Sequence, residues 1–81
     1  MPLFDPPYPG ESLREDVLPA ISMTVTELAK QLGYPQDQLA AVLNGHAPIT
    51  RDLAQRLEAA DLGAARQYLA EQAAYDRWHA G

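Results

Sequence analysis

Gln36, Asp37 and Gln38 stand side by side at the head of an apolar-periodic segment. A Gln amide can bond N6 and N7 of one adenine in the major groove, and a carboxylate can accept from a cytosine amino group. Ala41, further along the same segment, is small and apolar enough to touch a thymine methyl. Groups suited to phosphate surround them: the Thr24 and Thr26 hydroxyls, the Lys30 and Arg51 cations, the Asn44 amide and, when protonated, His46. Each also has a plainer use. Thr24 and Asn44 are residue types that begin and end helices, and isolated cations are commonly just solvated.

Catalytic chemistry finds no comparable grouping. The chain has no Cys, so it has no thiol nucleophile, thiolate metal site or disulfide. His46 and His79 are far apart and lack the His-x-x-His or His-Glu-x-x-His spacing of a metal site. Ser12 and Ser22 have no flanking elbow glycines, and no Gly-rich phosphate loop occurs. Neither enzymatic activity, nor a metal, nor a cofactor is expected.

The elements that must position the polar groups are helices. Residues 1–10 hold four of the seven prolines and Gly10, which predicts an extended arm and a turn. A first helix is expected from Glu11 to about Leu18, with Leu13, Val17 and Leu18 on one face and Pro19 ending or kinking it. Thr24 with Glu27 three residues on reads as a capping box for a second helix, whose stripe is Leu28, Ala29 and Leu32. Gly33 supplies the left-handed geometry of a tight turn. A third helix spans about Pro35 to Asn44 and buries Leu39, Val42 and Leu43. Thr50 caps a fourth with Leu53, Ala54 and Leu57 inward, and Gly63 precedes a last helix over about 64–79. Nothing alternates with period two, so no sheet is expected. The spacing of Ala29, Gly33, Leu39 and Val42 suits two short helices crossing steeply over a short turn, the helix-turn-helix, over about residues 24–44. An αα-hairpin of any helical bundle is the plainer alternative.

At 81 residues the chain has room for one small domain, assigned to residues 11–81 behind the arm. Its hydrophobic content of 47% is that of a globular protein. No apolar run approaches the roughly 20 residues needed to cross a bilayer, and "MPLFDPPYPGES" lacks the layout of a signal peptide, so a cytoplasmic protein off the membrane is expected. Eleven acidic residues against six basic ones give a net charge of −5. That opposes binding to a polyanion unless cations gather on one face or two copies act together. It favours a basic protein partner.

Four segments, "YPGESLRED", "TELAKQLG", "LNGHAPIT" and "QAAYDRW", together resemble HigA-type antitoxins of the Cro/Xre helix-turn-helix class. The likeness runs from about Tyr8 to Trp78. It implies an all-α, five-helix, lambda-repressor-like domain, dimeric, that binds operator DNA to repress its own operon. It also implies a partner, a HigB-like ribonuclease toxin that the antitoxin neutralises. On such a domain the DNA-contacting candidates are the residues singled out above by their own chemistry: Thr24, Thr26, Lys30, Gln36, Asp37, Gln38, Ala41, Asn44, His46 and Arg51. The chain departs from the pattern with Val25 where the family often has Gln, and with an uncharged-to-acidic third helix. Those departures support a second reading, a protein-interaction module on the same scaffold without specific DNA binding.

Two further surfaces invite partners. Tyr68, Tyr75 and Trp78 lie along one side of the last helix, suggesting a homodimer interface, although Tyr68 and Leu69 also suit a core. Glu11, Glu15 and Asp16 form an acidic patch suited to a basic toxin, or simply a solvated helix start.

Overall fold

The computed structural model describes residues 8–80, and every regular element among them is helical. The extended arm expected over residues 1–7 lies outside them. Helix α1 covers residues 9–21, opening at Pro9 rather than Glu11. Pro9 fits a first turn because its missing N–H would have had no partner there. The rod does not stop at Pro19. Residues Leu13–Val17 form a wide turn in which the Leu18 amide bonds the Leu13 carbonyl five residues back. Pro19 has no N–H to donate, and in a regular helix its ring would strike the carbonyl four residues earlier. Widening the turn just before the proline relieves that conflict. Ser22, at φ 55°, ends the helix in the left-handed region.

Helix α2 (Val25–Leu32) begins with the expected reciprocal cap. Thr24 Oγ1 accepts from the Glu27 amide at 3.2 Å, and Glu27 Oε1 accepts from the Thr24 amide at 2.9 Å. Gly33, at φ 66°, turns the chain, and the Tyr34 amide reaches back to the Ala29 carbonyl at 2.9 Å. Helix α3 (Gln36–Leu43) follows, then a loop through Gly45, at φ 77°, to Thr50. Thr50 Oγ1 accepts from the Leu53 amide at 3.2 Å and starts α4 (Arg51–Ala59). Helix α5 (Ala65–Ala80) completes five helices.

The core sits where these helices converge. Leu28, Ala29 and Leu32 of α2, Leu39, Val42 and Leu43 of α3, and Leu53, Ala54 and Leu57 of α4 are all buried. Each triplet is an i, i+3/i+4 stripe, so one face of each short helix leaves water. Leu13 and Leu18 join from α1, while Val17 is only half-buried. At about 1.5–3 kcal/mol for each large aliphatic side chain removed from water, these contacts dominate the folding of so small a chain. Gly10 allows a closer approach than any side chain would. A Cβ there would lie 1.9 Å from the Val42 carbonyl oxygen, so α1 rests backbone to backbone on α3.

Candidate nucleic-acid interface

Helix α3 is divided by its own period. Leu39, Val42 and Leu43 point into the core, which leaves Gln36, Asp37 and Gln38 exposed on its first turn and Ala41 half-buried beside them. Asp37 Oδ1 accepts from the Gln38 amide at 3.0 Å, which quiets one orphan donor of the helix start. Its other carboxylate oxygen and both Gln amides face solvent.

Thr24, Thr26 and Lys30 are exposed on α2, and Arg51 is exposed at the first position of α4. Thr24 spends its oxygen lone pair on the cap, but its hydroxyl hydrogen stays available to donate. Asn44 and His46 are exposed in the loop that follows α3. The first turn of α3 is thus exposed, as are the Thr24 and Thr26 hydroxyls and Lys30 at α2 and Arg51 at the first position of α4. Among the described residues, no Lys or Arg occurs from position 31 to position 50.

The fold of this interface has close parallels. No protein-family model matches the sequence. A solved addiction module antidote protein of a HigA family from Coxiella burnetii is 36% identical, and the match covers 95% of this chain and 84% of that one at a TM-score of 0.87. The chain belongs to the HigA family. The Pseudomonas aeruginosa antitoxin HigA, solved with the higBA promoter, is 25% identical to this HigA-family chain at a TM-score of 0.87, over 93% of this chain and 82% of its own. Virulence-associated protein A of Dichelobacter nodosus is 32% identical over 56 residues, 69% of this chain. The match spans about half of that relative's length, 55%.

Within this HigA-family fold, three polar side chains hold the interface from behind, and sequence reading missed all three. The Arg56 guanidinium of α4 donates to the Leu32 carbonyl at 2.9 Å and the Gly33 carbonyl at 3.1 Å. Asp52, one turn earlier, accepts from its Nε at 3.1 Å. Arg14 of α1 donates to the Leu43 carbonyl at 3.3 Å, at the far end of α3, with its guanidinium 5.9 Å from the Tyr8 ring centre. Gln72 of α5 is buried; its Oε1 accepts from the Ile49 amide at 2.9 Å and its Nε2 donates to Asp76 at 2.9 Å. The Asp52–Arg56 spacing was visible as an i, i+4 pair. The carbonyl partners were not, because they lie more than twenty residues away in the chain.

The aromatic residues of α5 divide. Tyr68, expected at a subunit interface, is instead part of the core: it is 7% exposed and its hydroxyl donates to the Leu62 carbonyl. The ring lies against Gly63, where a Cβ would come within 2.8 Å of it. Burial raises the Tyr68 pKa above its usual value, and the nearby Glu71 carboxylate adds to the effect. Tyr75 is half-buried, edge-on to Tyr8 at 6.4 Å and 4.2 Å from the His79 ring. Trp78 is half-buried as well. Of the acidic patch on α1, Glu15 and Asp16 are exposed and Glu11 is half-buried. None of the described helices is long and apolar enough to cross a membrane.

Proposed function

We propose that this chain is a DNA-binding antitoxin that represses its own operon and neutralises a HigB-like ribonuclease toxin. The observation that carries the reading is the exposed first turn of α3, held outward by the burial of Leu39, Val42 and Leu43. The same fold is found in an antitoxin solved with its promoter. Gln36 and Gln38 read base edges, Asp37 accepts from a base amino group with its outer oxygen, and Ala41 meets a thymine methyl. Thr24, Thr26, Lys30, Asn44, His46 and Arg51 take phosphates. The protein works as a homodimer joined through Trp78 and Tyr75, in the cytoplasm where its operon is read, and has no catalytic role. The exposed carboxylates of α1 suit the positive surface that a ribonuclease needs for RNA.

A second reading is favoured by one feature: α3 carries no cation and the whole chain has a net charge of −5. On that reading the scaffold binds a protein and no longer selects DNA. Titrating a fluorescent duplex taken from immediately upstream of the gene separates the two. With Lys30 and Arg51 as the phosphate cations, a dimer makes about four such contacts, so log K should fall with log salt at a slope of about −3 to −4. Absence of any preference over a scrambled duplex at low salt would leave only the protein-binding role.

A further inference from the structure

We infer that Arg56 is a positioning residue for base reading: a latch that fixes where α3 leaves the turn, and not itself a phosphate ligand. This rests on the DNA-binding reading above for its consequence, but on geometry for its mechanism. The last carbonyls of a helix have no intrahelical partners, and a helix C-terminus carries partial negative charge. Leu32 is the final residue of α2, and Gly33 is the turn itself. The Arg56 guanidinium donates to both carbonyls, at 2.9 and 3.1 Å, from α4, more than twenty residues further along the chain. Asp52 accepts from the Nε edge of the same plane at 3.1 Å, an exposed i, i+4 contact that favours this orientation of the fork.

Gly33 leaves room for this group and links it to the next helix. Gly33 suits the φ of 66°, and a Cβ on it would also lie 3.2 Å from Arg56 Nη1. The Gly33 carbonyl is also only three residues ahead of Gln36, the first residue of α3. Holding that carbonyl therefore sets the origin of the helix that presents Gln36 and Gln38. Only Arg has a planar fork able to serve two carbonyls and a carboxylate together; a Lys ammonium is a point donor on a looser stem.

The test compares wild type, Arg56→Gln and Arg56→Lys by two readouts. In the protein alone, amide exchange at Tyr34 and Leu39 should quicken about tenfold in Arg56→Gln and less in Arg56→Lys, with Leu57 unchanged. On the upstream duplex, discrimination against scrambled DNA should fall about tenfold while the salt slope stays constant. Should Arg56→Gln fail to fold, Arg56→Lys carries both measurements. A salt slope shallower by about one per protomer with discrimination intact would make Arg56 a phosphate contact and overturn the latch. Uniform acceleration of every amide, or of none, would overturn it too. If wild type itself ignores the duplex, the DNA-binding reading fails, and amide exchange alone decides whether Arg56 holds the turn.

Discussion

Gln36 and Gln38 are exposed amides on a helix whose other side is locked in place, which is what a base reader needs. Gln36→Ala should cost about 1–3 kcal/mol at a single base position if the amide makes a paired contact. Titrations over duplexes permuted one base at a time would locate that position; an equal loss on every duplex would assign Gln36 to the backbone. Two arginines of α4 show how differently one residue type can be used. Arg51 faces solvent, while Arg56 is consumed by the turn. Sequence reading found the first and missed the second, since local spacing cannot show a carbonyl 23 residues away. Tyr68 has its own signature. Its folded-state pKa is raised, so the stability it confers is complete below its unfolded pKa of about 10 and is lost as pH climbs through the folded value. Urea midpoints measured from pH 9 to 11 should therefore fall more steeply in wild type than in Tyr68→Phe.

The helices themselves were largely written in the chain. Stripes such as Leu53, Ala54 and Leu57 and caps such as Thr24 and Thr50 are local signals, and the folded chain uses them as read. The first helix extends beyond the expected Glu11–Leu18 at both ends. A proline can be kept inside a helix by widening the turn before it, and here the burial of Leu13 and Leu18 makes the widening worthwhile. That gain comes from tertiary packing, which no local rule reports. Gly10, expected in the arm, departs for the same reason: its value lies in touching Val42, thirty-odd residues on. Gly10→Ala would place a methyl against backbone that cannot swing aside, and should destabilise the domain by about 1–3 kcal/mol. Thermal unfolding would register this, and an unchanged midpoint would mean that α1 floats on α3.

At the scale of the molecule, charge and size pull the same way. A chain with a net charge of −5 and no cation on α3 gains by doubling its few cations, and a small domain gains by covering a half-buried Trp78. Trp78→Ala should shift light scattering from dimer mass to monomer mass; an intact dimer would place the interface elsewhere. The buried Gln72 reaches further than its single bond to Ile49 suggests. A residue of α5 satisfies the Ile49 amide in the loop after α3, so residues 24–59 are not a cassette that could be cut out and grafted. Shorn of the final helix, the Ile49 amide would be stranded without a partner in an opened core, and the fragment should give only the weak, drifting circular dichroism of a chain with no settled shape.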